Sequence, residues 1–570
     1  MRPRARLLAA SLAFTGLLLA AAPLLAGPGE HAVATAHPAA TEAGERVLRN
    51  GGNAFDAAVA VTAALGVAEP YGSGLGGGGF FLLYQADSGR SVMLDARETA
   101  PGAAHRDMYL DDDGEVIEGL SLDGVLAAGI PGMAAGLDHL AREYGRLPLA
   151  DSLQPAIRLA EEGVAVGPRY RQMAGFREQA LRDGAAAGEI FLDDGRTPDE
   201  DSLIRQADLA ATLRRLVEDG RDGFYTGELA ETLVAGVREA GGIWTLEDLA
   251  GYEVVERDPV RFRFRGAEIT TASPPSSGGV AIGQILSILA LYDLDGLEPH
   301  MRAHLTIEAM RRAYRDRAEY LGDPDHVEMP LARLLAPEYA AGLRAGIHPH
   351  AATPSRQLPL SLDPAAEVPE MPAAESPETT HFSIIDADGN RVAATLTLNY
   401  PFGSGYVVPG TGVLLNNEMD DFSAKPGEPN AYGLIGFEAN AIAPQRRPLS
   451  SMSPTFVDTG EQVAVLGTPG GSRIITMVLH GILGVVDGAP LAEVVAAPRY
   501  HHQYLPDEVQ YETGAFDAAT RRELVARGHH LVPQLRPFGD MQAVLWDREA
   551  GRLEAASDPR GEGAAAVFGR

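Results

Sequence analysis

Thr379 is the residue whose setting points most directly to nucleophilic chemistry. It begins the run Thr379–Ile385, TTHFSII, whose β-branched and aromatic residues predict a strand. The preceding residues, 351–378, are rich in Pro, Ala and Glu and follow no helical or alternating period, which predicts an exposed connector. A threonine at the start of a strand is ordinary, so the notable feature is the connector placed directly before it.

A threonine hydroxyl is a weak nucleophile unless a base lies beside it. One such base is the threonine's own α-amino group, which has an unperturbed pKa of about 7.7–8.0 and is freed when the preceding bond is cut. We therefore expect a single-chain precursor that severs its own bond between Glu378 and Thr379. The alternative is an uncut secreted binding or scaffold protein in which Thr379 is only a strand residue.

A hairpin is predicted to bring a second threonine to the same place. The apolar runs 382–385 and 391–399 flank the turn sequence Asp386-Ala387-Asp388-Gly389-Asn390, so Thr397 should return close to Thr379. A second strand pair is predicted at 80–84 and 91–95.

Arg97 directly follows that second pair, where an arginine taken alone is a solvated charge. The glycines from Gly72 to Gly79 lack the Lys-Ser/Thr of a phosphate-binding loop and open no evident helix. They are better interpreted as positions where two backbones approach closely.

The rest of the first half is predicted to be packing scaffold. Residues 41–65 form helical runs broken at Gly51-Gly52, with Asn53 as an N-cap, and residues 130–346 are predicted to be mainly helical. The helical spacing is clearest at 132–144, 153–162, 207–218, 229–240 and 303–320. The pairs His348/His350 and His529-His530 are interpreted as surface histidines and not metal ligands, and His501-His502 as structural.

Composition excludes several classes of function. The 570 residues include 78 acidic and 47 basic residues, a net charge of −31, which argues against a nucleic acid or an anionic membrane surface as partner. Lys425 is the single lysine, which excludes Schiff-base or phosphate-loop lysines elsewhere. The absence of cysteine excludes disulfides and thiolate chemistry.

The first 26 residues predict export. Arg2, Arg4 and Arg6 precede a long apolar run with small residues at its end, as in a secretory signal peptide cleaved after Ala22 or Ala26. A membrane anchor is the alternative, but stable membrane insertion is not expected. We therefore predict three parts: a signal peptide at 1–26, a large subunit at 27–378 and a small subunit at 379–570, with a periplasmic or extracellular location.

Ordered motifs across nearly the whole chain resemble the γ-glutamyltranspeptidases, members of the N-terminal-nucleophile hydrolase superfamily. In the first half they are ATAHPAATEAGERVLRNGGNAFDAAVA (34–60), GSGLGGGGF (72–80) and LDARETAP (94–101). In the second half they are TTHFSIIDADGNRVAATLTLNYPFGSG (379–405), LLNNEMDDFSAKPG (414–427), RPLSSMSPT (447–455), GTPGGSRIIT (467–476) and APRYHHQYLPDE (497–508).

The resemblance implies an α+β fold, a four-layered αββα sandwich, and a role for each matching residue. Arg97 with Ser450 and Ser451 would bind the α-carboxylate of a γ-glutamyl substrate, and Glu418 and Asp421 its α-amino group. Thr397 would hydrogen-bond the Thr379 hydroxyl, and Asn399 would contact the amino-acid end of the substrate. The Gly470 and Gly471 N–H groups would stabilise the oxyanion. Tyr432 would belong to a lid formed by the loop between Asp421 and Ser450.

The activity implied is transfer of a γ-glutamyl group through Thr379 to water or to an amino acid or peptide, with glutathione among the donors. The two subunits of one precursor would form a heterodimer, and no metal or organic cofactor is implied. A cephalosporin-acylase-like amidohydrolase of the same fold remains an alternative, although the complete zwitterion-binding set Arg97, Glu418, Asp421, Ser450 and Ser451 argues against it.

Overall fold

The computed structural model describes residues 27–358, 360 and 379–569. The predicted signal peptide, most of the connector and Glu378 lie outside these residues. Within the described part, no helix is both long enough and apolar enough to cross a membrane.

The strands, in chain order, are β1 (Glu30–Thr35), β2 (Gly78–Gln85), β3 (Arg90–Ala96), β4 (Val164–Ala165), β5 (Leu203–Ile204), β6 (Val255–Arg257), β7 (Val260–Phe264), β8 (Ala267–Thr271), β9 (Thr379–Ile385), β10 (Arg391–Thr397), β11 (Thr455–Asp458), β12 (Gln462–Gly467), β13 (Tyr500–His501), β14 (Val509–Tyr511), β15 (Leu531–Pro533), β16 (Gln542–Asp547), β17 (Arg552–Ser557) and β18 (Ala564–Gly569).

The α-helices, in the same order, are α1 (Pro38–Arg49), α2 (Ala54–Ala68), α3 (Met133–Glu143), α4 (Leu149–Glu162), α5 (Pro168–Asp183), α6 (Ala187–Phe191), α7 (Ala207–Asp219), α8 (Asp222–Tyr225), α9 (Gly227–Glu239), α10 (Leu246–Ala250), α11 (Gly278–Leu289), α12 (Pro299–Tyr320), α13 (Leu331–Leu334), α14 (Pro337–Ala345), α15 (Ile474–Val486), α16 (Leu491–Ala496) and α17 (Ala518–Ala526).

Two antiparallel sheets face each other and helices cover both outer sides. One sheet has the strand order β18-β1-β9-β10-β2-β3-β6, and the other has the order β17-β16-β12-β11-β8-β7. One apolar cluster joins α1–α4 and α7–α9 to the outer face of the first sheet. A second cluster joins α11, α12, α15 and α16 to the second sheet. The result is the helix–sheet–sheet–helix arrangement that the sequence resemblance implied.

The helix α2 shows why small residues recur beneath the first sheet. It begins with a capping box in which the Asn53 side chain accepts from the backbone at position 56 while Asp56 accepts from the Asn53 N–H. Nearly all of its side chains are buried, and most are Ala or Val. A Cβ at Gly44 of α1 would lie 2.9 Å from Val61, so glycine allows α1 and α2 to pack closely.

Both faces of β9 are buried, and its two faces differ in polarity. Phe382 and Ile384 belong to the apolar cluster under the helices. On the opposite face, the Ser383 hydroxyl donates to the Gln542 carbonyl of the second sheet at 3.0 Å, and His381 Nδ1 pairs with Thr395 Oγ1 at 2.9 Å. Alternation of polar and apolar residues often indicates a strand with one face in solvent. In β9 the more polar face instead packs on the second sheet.

The glycine cluster does hold backbones close together. A Cβ at Gly76 would lie 1.9 Å from the Leu414 carbonyl oxygen, and one at Gly77 would lie 2.1 Å from the Thr397 carbonyl oxygen. Glycine is therefore required where the first sheet meets the chain leaving β10, which confirms the close-approach interpretation.

The region 130–346 is mainly helical, as predicted, and it also contains the short strands β4 to β8. Two other expectations about the scaffold need correction. His529 is not a surface residue: it is 4% exposed, and its Nε2 lies 2.8 Å from His304 Nδ1. The connector is not exposed throughout: Ala351 is exposed, but Ser355 is fully buried and its N–H donates to Asp507 at 2.7 Å.

Candidate active site

Neighbouring strands of the first sheet place the two threonines side by side. Thr379 and Thr397 are partners in the antiparallel register of β9 and β10, and Thr397 is also paired with Gly78 of β2. The Asn399 N–H donates to Thr397 Oγ1 at 2.7 Å, which fixes the orientation of that hydroxyl. The hairpin predicted from the turn sequence at 386–390 is therefore present and brings Thr397 to Thr379.

Arg97 reaches the same end of the sheet because it directly follows β3, which pairs with β2. Its side chain is 1% exposed. Its Nε donates to the Pro448 carbonyl at 3.2 Å, and its other two nitrogens contact the Glu418 and Asp421 carboxylates, the latter at 2.5 Å. The fork of Arg97 therefore bridges two acidic residues, a geometry suited to carboxylates.

Glu418 and Asp421 lie in a single turn of 3-10 helix, Glu418–Asp421. The Glu418 N–H donates to the Asn416 side chain at 2.9 Å. The Asn416 amide in turn donates to the Gly76 and Gly129 carbonyls at 2.7 and 2.8 Å. These contacts tie the acidic turn to the glycine-rich start of β2, which is why its carboxylates face Arg97.

Ser450 and Ser451 closely follow Pro448, whose carbonyl accepts from Arg97. The Ser450 hydroxyl accepts from the Met452 N–H at 3.1 Å, and Arg317 donates to the Ser451 hydroxyl at 3.4 Å. Ser450 also bridges to Ser276 at the start of α11. Both serines are buried, so a backbone-anchored turn positions their hydroxyls.

The glycine pair after β12 allows an aromatic ring to approach its backbone. Gly470 and Gly471 have φ of 138° and 55°, and Gly471 opens a 3-10 turn that continues into α15. A Cβ at Gly471 would lie 2.6 Å from the ring of Tyr432. The Tyr432 hydroxyl donates to the Asn399 carbonyl at 2.5 Å, so this side chain closes the pocket beside the glycines.

One pocket gathers almost all of the predicted site. Its lining includes Arg97, Thr379, Thr397, Asn399, Glu418, Asp421, Tyr432, Ser450, Ser451 and Gly471. Gly470 adjoins the pocket without lining it, and Glu378 lies outside the described residues. The pocket has a volume of about 20 Å³, room for about one water molecule.

Burial dominates the electrostatics of this pocket. Burial alone would lower the pKa of Arg97, but the charges of Glu418, Asp421 and Glu98 raise it above its usual value. Burial raises the pKa of Glu418 well above its usual range and also raises the pKa of Asp421, despite their contacts with Arg97. The pocket therefore favours a ligand that supplies its own positive charge to these carboxylates.

Three buried residues that the sequence did not single out also shape the site. Glu98 lies beside Arg97, and Arg317 contacts the serine turn from α12, a helix assigned only to packing. The Asp420 carboxylate accepts from the Ser121 hydroxyl at 2.7 Å and from the Ala431 N–H, which lies between Asp421 and Ser450, at 3.0 Å. Burial raises the pKa of Asp420 to about 6. Glu98 and Asp420 lie within motifs that resemble the family, and this position could have pointed to them. Arg317 lies outside those motifs.

Glu98 makes protein stability depend on pH. Burial raises the pKa of Glu98 to about 8, and neither of its carboxyl oxygens has a hydrogen-bond partner among the described residues. A raised folded-state pKa favours the neutral acid, so the wild type should lose stability as pH rises from about 4.5 through about 8. Glu98→Gln should remove this loss and raise the Tm at pH 8.5 by about 2 °C or more, with no gain at pH 5.

Thermal unfolding of the Glu98→Gln variant at several pH values between 5 and 8.5 tests this expectation. Glu42→Gln, a change at an exposed glutamate of α1, is the matched control and should track the wild type. A Tm difference that does not grow with pH would show that Glu98 is ionised in the folded protein.

The described residues contain no group of three or more His, Asp or Glu side chains arranged to hold a metal ion. The groups that the pocket offers are hydroxyls, carboxylates, a guanidinium and backbone N–H groups.

Comparisons with known proteins agree with this architecture. A family model described as gamma-glutamyltranspeptidase matches residues 40–568. A glutathione hydrolase proenzyme of Pseudomonas sp. (strain A14) is 45% identical over 542 residues, 93% of this chain and 92% of that protein. The glutathione hydrolase proenzyme of Escherichia coli (strain K12) is 43% identical over 534 residues, 93% of this chain and 90% of that protein.

A solved structure also matches over nearly its whole length. The crystal structure of a cephalosporin acylase from Bacillus halodurans aligns with a TM-score of 0.81 at 28% identity, covering 98% of this chain and 99% of that chain. The facing sheets, with a threonine at the start of an inner strand, define an N-terminal-nucleophile hydrolase fold. The chain belongs to the γ-glutamyltranspeptidase family. The predicted family, fold class and enzyme class are thereby confirmed.

Proposed function

We propose that the protein is a self-processing γ-glutamyltransferase and glutathione hydrolase in which Thr379 carries the γ-glutamyl group. The observation that carries this proposal is that Thr379 and Thr397 line the same pocket as Arg97, Glu418 and Asp421. A γ-glutamyl compound has an amide at one end and a zwitterion at the other, so this pocket offers a nucleophile for the amide and charged partners for the zwitterion.

The zwitterion-binding end follows from charge and hydrogen-bond geometry. The Arg97 fork and the Ser450 and Ser451 hydroxyls supply donors for the substrate α-carboxylate. Glu418 and Asp421 supply acceptors for its ammonium, and the arriving positive charge offsets the cost of holding these carboxylates ionised in a buried site. Because Arg97 now pairs with these acids, substrate binding replaces part of that contact with a contact to its own carboxylate.

The reaction end then performs acyl transfer. Thr379 Oγ1 attacks the γ-amide carbonyl carbon, and the freed α-amine of Thr379 takes the hydroxyl proton and passes it to the departing amine as the C–N bond breaks. Thr397 orients the Thr379 hydroxyl, and the Gly470 and Gly471 N–H groups stabilise the oxyanion. The ester on Thr379 is finally cleaved by water, which gives glutamate, or by an acceptor amine.

Maturation would use the same hydroxyl. Cleavage between Glu378 and Thr379 would free the α-amine and divide the chain into a large subunit, 27–378, and a small subunit, 379–570, which stay associated. Strands of the two subunits alternate within the first sheet, where β9 and β10 of the small subunit lie between β1 and β2 of the large one. This arrangement supports their association. We further propose that the first 26 residues direct export to the periplasm or the extracellular space.

The lid would restrict the donors to small γ-glutamyl compounds such as glutathione. The segment between Asp421 and Ser450 holds Tyr432 over the glycine pair, and the side chain of Gln503 donates to the Tyr432 carbonyl at 3.1 Å. With about 20 Å³ available, the pocket would have to enlarge before a donor enters, and we place that movement in this segment. We infer no metal or organic cofactor, because every proposed step uses groups of the chain itself.

The structural similarity to the cephalosporin acylase supports a second candidate function. In this function the protein would be an acylase that removes the side chain of a β-lactam. Such a substrate need not carry an α-amino acid zwitterion. The buried cluster of Arg97 with Glu418 and Asp421 would then contribute little to binding, and for this reason we favour γ-glutamyl donors.

A kinetic assay discriminates the two candidates. Purified protein should release the chromophore from a γ-glutamyl anilide and form glutamate, and adding a dipeptide should produce a γ-glutamyl dipeptide. Removing the α-amino group from the donor should abolish turnover, because Glu418 and Asp421 would lose their partner. Hydrolysis of a glutaryl β-lactam with no turnover of the anilide would contradict the proposal and support the acylase.

A further inference from the structure

We propose that Glu69, acting through Thr380, is a positioning residue for Thr379. It would hold the chain end that self-cleavage creates, so that the hydroxyl and the α-amine of Thr379 keep the arrangement needed for acyl transfer. The inference rests on the function proposed above and gives a role to two residues that have none so far. Neither Glu69 nor Thr380 lines the donor pocket, so both would act through the strand and not on the substrate.

Self-cleavage would leave Thr379 at a free chain end. The first residues of a chain are poorly ordered unless other contacts hold them. The strand β1 ends at Thr35, which pairs with Phe382, so β9 begins three residues beyond the end of β1. At these three residues β10 is the strand partner on one side. The other side of the new chain end therefore needs a different support.

The end of α2 supplies this support. Glu69 directly follows the helix, and its backbone N–H donates to the Leu65 carbonyl at 2.7 Å. The Glu69 carboxylate accepts from the Thr380 hydroxyl at 2.8 Å. A Cβ at Gly72 would lie 3.6 Å from Thr380 Cβ and 3.7 Å from the Thr379 carbonyl oxygen. The chain that leaves α2 therefore runs beside the start of β9 and is joined to it by a side-chain hydrogen bond.

A second hydrogen bond fixes the orientation of the Glu69 carboxyl group. The Tyr71 hydroxyl donates to Glu69 Oε1 at 3.1 Å, while Thr380 donates to Oε2. All three side chains are buried. Burial raises the pKa of Glu69, and the two hydroxyl donors act in the opposite direction. Tyr71 itself packs edge-on against Tyr170 and Phe402. Both carboxyl oxygens of Glu69 are thus paired with side chains that are themselves held in place.

The alternation of side chains along β9 separates Glu69 from the reacting hydroxyl. Thr380 shares the face of Phe382 and Ile384, which packs beneath the helices, and Thr379 has the opposite face. The hydrogen bond to Glu69 therefore holds the backbone that carries Thr379. A displacement of about 1 Å in a reacting group can slow a reaction about a hundredfold. Loss of this hydrogen bond should thus slow acyl transfer and leave donor binding nearly unchanged.

Two substitutions of Thr380 test this role. Thr380→Val keeps the branched shape and removes the hydroxyl, whereas Thr380→Ser keeps the hydroxyl and removes the methyl group. With kcat for a γ-glutamyl anilide expressed per processed small subunit, Thr380→Val should lower kcat about tenfold or more and change KM less than about twofold. Thr380→Ser should stay close to the wild type. The reverse order, an active valine variant and an impaired serine variant, would show a packing role and overturn the proposal.

The rate of self-cleavage provides a second measurement. In the precursor Thr379 is still joined to Glu378, so its position depends less on the hydrogen bond of its neighbour. Thr380→Val should therefore slow self-cleavage less than it slows turnover. Equal slowing of both would contradict a role at the free chain end. The matched control is Thr232→Val, which removes an exposed hydroxyl of α9 and should keep wild-type values for both rates.

A double variant keeps the test decisive if Thr380→Val does not fold, because that change leaves a buried oxygen of Glu69 without its donor. Glu69→Met/Thr380→Val removes both partners, which costs less stability than removing one. Tyr71 lines a cavity of about 190 Å³, where water can pair with its hydroxyl. The double variant should fold and keep the low kcat, and a wild-type kcat would refute the positioning role. Failure of the proposed function is distinguishable, because the wild type would then release no glutamate from the anilide.

Discussion

Replacing Thr379 by alanine is expected to leave the chain uncut and to lower γ-glutamyl anilide turnover by at least about a thousandfold. Without the hydroxyl there is no nucleophile for either self-cleavage or acyl transfer. The fold should survive, because a methyl group replaces a 1-hydroxyethyl group at the start of β9. Gel electrophoresis should show a single band near the 60.2 kDa calculated for the whole chain, or slightly below it after signal removal.

The matched control is Thr379→Ser, which keeps the hydroxyl and loses only a methyl group. It should still cleave and turn over, more slowly than the wild type, because the β-branched side chain restricts the hydroxyl to fewer orientations. Two subunits and measurable turnover in the Thr379→Ala variant would show that another residue is the nucleophile.

The second large effect is expected at the opposite end of the pocket. Arg97→Lys keeps the positive charge but loses the fork that contacts Glu418 and Asp421 and that would hold the substrate carboxylate. Losing one charge-assisted contact of roughly 1.5–3 kcal/mol should raise KM for the anilide about ten- to a hundredfold. Self-cleavage involves no substrate carboxylate, so the variant should still yield both subunits.

Steady-state kinetics on fully processed protein measures this effect, with Arg142→Lys as the control. Arg142 is an exposed arginine of α3 that pairs with Asp138 and Glu143, and its substitution should change neither KM nor kcat. An unchanged KM in Arg97→Lys would mean that the substrate carboxylate is held elsewhere. If self-cleavage is blocked in the same variant, Arg97 is needed for the precursor to adopt the structure that cleaves itself.

Local sequence predicted the parts of the site that depend on short-range geometry. The turn at 386–390 sufficed to place Thr397 beside Thr379, and the Asn53 cap and the glycines of β2 follow from backbone requirements that a sequence displays directly. The family resemblance supplied the residues that are distant in sequence, since nothing local connects Arg97 with Glu418 or Ser450.

Tertiary context decided what the sequence left out. The strands β7 and β8 are short and pair with each other. Only β8 pairs with β11, which lies far along the chain, so local sequence does not show that the two strands belong to the second sheet. His529 lies in a polar segment, yet packing against His304 buries it. Arg317 was not predicted, because it reaches the Ser451 hydroxyl only where α12 packs against a segment that is distant in sequence.

The central claim is that Thr379 becomes an N-terminal residue and carries the γ-glutamyl group on its hydroxyl. The most direct measurement is peptide mapping by mass spectrometry of the active protein, quenched in acid during turnover of a γ-glutamyl donor. We predict that the small subunit begins TTHFS and that the added γ-glutamyl mass lies on Thr379. A γ-glutamyl group on another residue, or an active protein in which Thr379 is still joined to Glu378, would contradict the account.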